Sequence, residues 1–362
     1  MKNNLHHSQY IDTKINLLNF NYIQMQKFFL SIGEKNFRAD QIMNWIYHKY
    51  CNDFNEMTNI SKVLREKLNN ICVIKPPKFI EEKKSIDGTI KWKAEINENL
   101  VETVYIPEKN RSTLCISSQI GCILECSFCA TGQMSFKGNL NVSDIVGQIW
   151  NVAKIISCND FNNRRPITNI VLMGMGEPLL NLNNVVNALK IIFNDFGFNI
   201  SKNKVTLSTS GIVPALDKLS DMIDVNLAVS LHAPNNIIRD KLMPINKKYN
   251  IQDLLCSISR YLSKSQANRG GVTIEYVMLN NINDKIVHAE ELAMILKNIP
   301  SKINLIPWNF FPNSIYKSSD PIRIKKFASI LIKKGFCTII RKNRGTDINA
   351  ACGQLINNIV KK

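Results

Sequence analysis

Cys122, Cys126 and Cys129 stand together in Cys122-Ile-Leu-Glu-Cys126-Ser-Phe-Cys129. Thiols at spacings of four and three residues can close around one inorganic centre. Disulfides are poor candidates. The N-terminal Met-Lys-Asn-Asn-Leu-His-His has no apolar signal region, and reducing compartments keep thiols free. Structural zinc takes four ligands, usually as two separated pairs, and no fourth Cys or His follows at such a spacing. Iron–sulfur clusters are held by Cys thiolates at short spacings of this kind. The triad therefore points to a four-iron cluster with one open iron. That open corner could bind a substrate or cofactor and pass it an electron.

Such a centre needs a scaffold around it. From about Arg111 onward, strand and helix patterns alternate. Strands are expected over 113–117, 169–173, 204–207, 226–229, 272–278, 304–306 and 337–341. Helices are expected over 143–156 (with Ser143 as N-cap), 182–193, 214–222, 251–262, 285–296 and 321–334. This alternation implies a parallel sheet or barrel. Polar motifs follow the strands: Gly174-Met-Gly176-Glu177-Pro, Ser208-Thr-Ser-Gly211, Ser230-Leu231-His232 and Trp308-Asn309. In α/β barrels, sites collect in the loops at the C-terminal ends of strands. One site across one barrel mouth is the expectation.

Before this core, amphipathic helices are expected between about Gln24 and Cys72, ended by Pro76-Pro77. Strands over 78–84 and 89–96 flank the hairpin signal Asp87-Gly88, and a third runs over 100–106. Glu102 lies on that third strand, where alternation would ordinarily point it to solvent. Residues 1–20 are polar and read as loose.

The formal charge of +17 suggests a polyanionic partner, nucleic acid first. Much of it comes from Lys in an Asn- and Ile-rich chain, a pattern that compositional drift also produces. No apolar run of about 18 residues indicates a membrane span. The ten cysteines are expected in a reducing cytoplasm.

Each motif has a plainer alternative. Glu177 could accept hydrogen bonds from an ammonium group, or cap a tight turn. Ser208, Ser230, His232 and Asn309 suit ribose, carboxylate or adenine edges, yet each alone would more often be a strand-end cap. Cys51, Cys72, Cys158, Cys256 and Cys337 read as small buried hydrophobes. Cys115 and Cys352 stand apart, the latter in a glycine-flanked polar loop. Arg341, Lys342 and Arg344 could grip phosphates, or be solvated surface charge.

The triad, with Phe128 before its last Cys, resembles the radical S-adenosylmethionine (SAM) superfamily. Over about Leu17 to Leu355 the chain is similar to the RlmN family of RNA adenine carbon-2 methyltransferases. The segments that carry this include Asp87-Gly-Thr-Ile-Lys-Trp92, Val101-Glu102-Thr-Val-Tyr-Ile-Pro107, Leu114-Cys115-Ile-Ser-Ser-Gln-Ile-Gly-Cys122, Ser230-Leu-His-Ala-Pro234 and Ala351-Cys352-Gly-Gln354. Two departures stand out. The pattern has Pro directly after Asn309, where this chain has Phe310, and Lys137-Gly138 is variable.

The resemblance implies a partial (β/α)6 TIM-like barrel over 108–345. It also implies an N-terminal helical, RNA-binding module over 1–75, a hairpin extension carrying Glu102 over 76–107, and a C-terminal segment carrying Cys352 over 346–362. It implies a 4Fe-4S cluster on Cys122, Cys126 and Cys129, with SAM held by Gly176, Glu177, Ser208, Ser230, Leu231, His232 and Asn309. Two SAM are implied per turnover, one methylating Cys352 and one cleaved at the cluster to a radical. Glu102 is implied as the proton acceptor, and Cys115 as the thiol that resolves the RNA adduct through a disulfide with Cys352. The implied partners are 23S rRNA, tRNA and a cytosolic electron donor such as flavodoxin, around a monomeric enzyme. A related carbon-8 methyltransferase and a cluster-bearing RNA-binding protein without turnover are the rival readings.

Overall fold

The computed structural model describes residues 14–159 and 165–356. Residues 1–13 of the segment expected to be loose, and the last six residues of the C-terminal segment, lie outside the described residues. The rest of that segment, 14–20, is not loose: Ile15–Asn16 pairs as a short strand with Cys72–Val73, and Leu17 and Leu18 are fully buried in the core.

Three α-helices follow: α1 (Tyr22–Ser31), α2 (Phe37–Met43) and α3 (Lys62–Ile71). Asn21 starts α1 by accepting from Gln24 N, while Gln24 returns a side-chain bond to the Asn21 amide. This reciprocal cap satisfies two N–H groups that a helix start leaves unpaired. Polar bonds fasten this module to the core. Trp150 Nε1 donates to Ile46 O at 2.7 Å, and Asn21 Nδ2 to Asn187 Oδ1 at 2.8 Å.

Ten strands then form one sheet: β1 (Lys78–Lys84), β2 (Ile90–Ile96), β3 (Asn99–Pro107), β4 (Ser112–Cys115), β5 (Asn169–Leu172), β6 (Val205–Thr209), β7 (Asn226–Ser230), β8 (Val272–Met278), β9 (Ser301–Pro307) and β10 (Cys337–Ile340). They lie side by side in chain order. From β1 to β4 neighbours pair antiparallel, and from β4 to β10 they pair parallel. Helices supply the crossovers: α4 (Val142–Asn159), α5 (Leu182–Phe193), α6 (Val213–Met222), α7 (Asn236–Leu242), α8 (Ile251–Lys264), α9 (Ile286–Ile295) and α10 (Pro321–Lys333). Parallel strands covered by helices read as apolar runs, and β8 buries six of its seven residues. The fold is the expected α/β one, with seven parallel strands where a six-stranded barrel was expected. The hairpin is continuous with the sheet through β3 and β4.

Three further expectations need correction. Ser143 does not cap α4. The helix starts one residue earlier, and Ser143 N donates to Asn19 Oδ1 at 2.9 Å, so a distant side chain does the capping. Glu102 does not face solvent; it is 1% exposed. Cys158, Cys256 and Cys337 are exposed, while Cys51 and Cys72 are buried as expected. Cys337 sits on the edge strand β10, where one flank is unpaired.

Candidate active site

A cavity opens at the C-terminal ends of β5 to β10. Cys122, Cys126 and Cys129 line it together with Gly176, Glu177, Ser208, Ser230 and His232. Cys352 lines it too, brought from the far end of the chain. The single mouth expected from strand-end motifs is present.

The β5 loop is shaped by glycine. Gly176 has φ +93, and a Cβ there would lie 2.4 Å from Gln119 Cβ. Only glycine tolerates both the backbone angle and the contact. Glu177 follows, 2% exposed. Its Oε1 accepts from Leu179 N at 3.1 Å and its Oε2 from Ser210 N at 2.8 Å. The turn-capping role is thus realised, and it also ties the β5 loop to the β6 loop. Burial pushes the Glu177 carboxyl up, and the Ser210 and Leu179 amides oppose this.

His232 has a left-handed backbone, φ +57. Its Nδ1 accepts from Val277 N at 3.0 Å, which leaves Nε2 as the protonated nitrogen. Burial pushes the imidazole down to about 3, so it is neutral. Its ring meets Phe128 edge-on, with centroids 4.7 Å apart. Leu231 does not reach the cavity with its side chain. It is fully buried, and its carbonyl accepts from Arg239 Nε at 3.2 Å.

Arg239 carries no sequence motif, yet it organises the wall. It is fully buried and donates to the carbonyls of Ser210, Ser230 and Leu231 and to Asn246 Oδ1. One guanidinium therefore joins the β6 and β7 loops. A lone Arg in a helical stretch gives no sequence signal of such burial.

The C-terminal segment is held over the cavity from three sides. Gly353 O accepts from Ala130 N at 2.8 Å, next to the last triad cysteine. Asn309 Nδ2 donates to Cys352 O at 3.2 Å, so Asn309 grips the segment rather than lining the cavity. Gln354 Nε2 donates to Phe310 O at 2.8 Å. The hairpin holds the segment from the other side. Asp87 Oδ2 accepts from Gly345 N at 2.9 Å, and Ser85 Oγ donates to Asp347 Oδ1 at 2.6 Å.

Glu102 belongs to this third set of contacts. Its Oε1 lies 2.9 Å from Lys91 Nζ, and its Oε2 accepts from Ile356 N at 2.9 Å. Lys91 also donates to Asn349 O at 2.9 Å. Burial pushes the Glu102 carboxyl up, and Lys91 opposes it. Glu102 therefore sits beneath the segment, bonded to the residue next to the cavity-lining Leu355.

Cys115 lies on β4, half-buried, and burial pushes its thiol up to about 12 with a further rise from Cys352. The Cys352 side chain opens to the cavity, yet its depth in the fold raises the thiol, while Arg341 pulls it down. Both are free thiols. Arg341, read from sequence as a surface phosphate contact, lines this cavity instead. Arg344 pairs with Asp87, and Lys342 is exposed.

Among the described residues, no three His, Cys, Asp or Glu side chains gather as ligands of a single ion. The three triad thiols share one cavity wall, a donor set that would hold a cuboidal cluster with each thiolate on a different iron. Burial raises all three thiols, so cluster binding would release their protons. Among the described residues no helix is long and apolar enough to cross a membrane.

Comparison with known proteins agrees. Residues 15–74 match the ribosomal RNA large subunit methyltransferase N-terminal domain, and residues 116–293 match the radical SAM superfamily. A solved radical SAM methyltransferase from Sphaerobacter thermophilus is 36% identical, covering 94% of this chain and 99% of its own, with a TM-score of 0.87. The hydrogenase maturase HydG from Carboxydothermus hydrogenoformans is 15% identical over 65% of this chain and 55% of its own, with a TM-score of 0.44, and adds nothing to the assignment. The cofactors are a 4Fe-4S cluster and SAM. The chain belongs to the RlmN family of radical SAM methyltransferases.

Proposed function

We propose that this methyltransferase acts on carbon 2 of adenine, in 23S rRNA at the peptidyl-transferase centre and in the anticodon arm of tRNA. One observation carries the reading: a fourth cysteine, Cys352, is held by its backbone so that it lines the same cavity as the three triad thiols. A simple electron-transfer or RNA-binding protein has no use for it.

Adenine carbon 2 is electron-poor and a weak nucleophile, so direct displacement on SAM is unfavourable. The bound cluster and SAM supply the methyl group and the one-electron chemistry that makes it reactive. Cys352 carries the methyl as a thioether and presents it to the base. Gly176, Glu177, Ser208, Ser230 and His232 form the wall that would hold SAM, with Leu231 and Asn309 shaping it through their neighbours. Glu102 accepts the proton from carbon 2; this needs the Ile356 amide to let go, since that amide now occupies its Oε2. Cys115 then attacks the Cys352 sulfur. An S–S bond forms as the S–C bond breaks, the electron pair stays on the product carbon, and that carbon takes up a proton to become the methyl group; a thiol reductant then returns the disulfide to two thiols.

The N-terminal helical module and the charge of +17 support an RNA partner. The target base would have to be flipped to reach a cavity this deep. A flavodoxin-like donor in the cytoplasm would deliver the electron to a monomer of this chain.

The test is an anaerobic assay with reconstituted protein, SAM, a reductant and protein-free ribosomal RNA, followed by nucleoside mass spectrometry. 2-Methyladenosine is expected. 8-Methyladenosine would move the assignment to the carbon-8 enzymes. RNA binding without SAM cleavage would mean a protein without turnover.

A further inference from the structure

Two ionisable side chains in the cavity have no role in this scheme: Glu275 and Arg341. Glu275 lies in the middle of β8, 4% exposed, and lines the cavity. Its Oε1 accepts from Asn304 Nδ2 at 2.9 Å. Its Oε2 is buried and has no hydrogen-bond partner among the described residues. A buried carboxylate oxygen without a donor is costly, so a donor from the cavity would relieve it.

Arg341 follows β10. Its backbone N–H donates to Leu305 O at 2.8 Å, but its guanidinium makes no hydrogen bond or close ion pair among the described residues. Register explains the juxtaposition. Glu275 pairs with Asn304, and Asn304 with Ile339, so these positions share one face. Arg341 is two residues beyond Ile339, on the same face and about 6.6 Å nearer the strands' C-terminal ends. The guanidinium lies near enough to the Cys352 thiol and the Glu275 carboxylate to influence both, and all three side chains line the one cavity.

We propose that Arg341 and Glu275 read the Watson–Crick edge of the target adenine, an inference that rests on the proposed function. That edge presents carbon 2, then the acceptor N1, then the donor amine N6. With carbon 2 at Cys352, N1 meets the guanidinium and N6–H meets the empty carboxylate oxygen. Guanine would set O6 against the carboxylate and N1–H against the guanidinium. A hydrogen bond to N1 also draws electron density from carbon 2, where the new bond forms. The adenine of SAM carries the same donor and acceptor, so the test must separate the two ligands.

The test uses reconstituted enzyme and two RNA hairpins, one with adenosine at the target and one with purine riboside, which lacks N6. Wild type should prefer adenosine by at least about tenfold in kcat/KM. Glu275→Gln should narrow that ratio toward one while SAM-dependent methylation of Cys352, read by mass spectrometry of the protein, stays at the wild-type rate. Equal use of both RNAs by wild type would overturn the proposal even if Glu275→Gln failed to fold. Slowed Cys352 methylation in Glu275→Gln would overturn it as well, by placing the carboxylate on SAM. Wild type that methylates no adenosine at carbon 2 would instead overturn the proposed function on which this inference rests.

Discussion

Replacing Lys91 by Met should destabilise the protein by an amount that depends on pH. Lys91 and Glu102 form an ion pair with side chains 7% and 1% exposed. Removing one partner of such a pair leaves a buried charge and costs about 3–5 kcal/mol. The carboxylate can escape that cost by taking a proton. Burial already raises the Glu102 carboxyl above its ordinary value, with Lys91 opposing, and loss of Lys91 raises it further. A group whose folded pKa is raised adds stability below its unfolded value, and that stability is lost as pH rises through the folded value. The cost of Lys91→Met should therefore be small near pH 4.5, the ordinary value, and grow as pH rises. The assay is urea unfolding of the apo protein across that range, for wild type, Lys91→Met, Glu102→Gln and the double variant. At neutral pH the cycle should show a coupling of about 2 kcal/mol or more, because the neutral amide of Glu102→Gln has no charge to strand. A cost independent of pH, or single effects that add within about 0.5 kcal/mol, would refute the reasoning.

Cys352→Ala should abolish RNA methylation while leaving iron content intact, since Cys352 is outside the triad; Cys115→Ala should accumulate a covalent RNA adduct visible on a denaturing gel. Gly176→Ala should destabilise by about 2 kcal/mol or more in thermal unfolding, from a positive φ combined with the 2.4 Å clash against Gln119. Asp87 is held down at about 2: burial opposes this, but hydrogen bonds from Thr89 and the Gly345 amide prevail. Its contribution is present above the ordinary 3.8 and is lost as pH falls toward about 2. Asp87→Asn should remove that acid sensitivity. Asp87 is solvent-exposed, so the change should be under about 1 kcal/mol, with faster tryptic cleavage at Lys342 or Arg344 as the C-terminal segment loosens.

Local chemistry in the sequence determined a good part of this protein. The triad spacing named a cluster, because few centres take thiolates so closely spaced. Strand–helix alternation named a parallel α/β core, because crossover helices impose that rhythm. The Asp87-Gly88 turn placed a hairpin, since Gly88 at φ +85 is what such a turn requires. Strand-end motifs located one mouth, because parallel strands all end on the same side.

Tertiary structure decided what depends on distant partners. Glu102 alternates like a surface residue and is buried because the C-terminal segment lies over it. Ser143 looks like a helix cap and yields to Asn19 from the N-terminal module. Arg239 and Arg341 look like surface cations, yet one ties two loops together and the other faces the cavity. Glu275 sits inside an apolar strand, where only the packed sheet shows that one of its oxygens lacks a donor. Periodicity and spacing record which neighbours a residue has along the chain. Burial and charge pairing are set by neighbours across space, and these came from segments as far apart as Glu102 and Ile356.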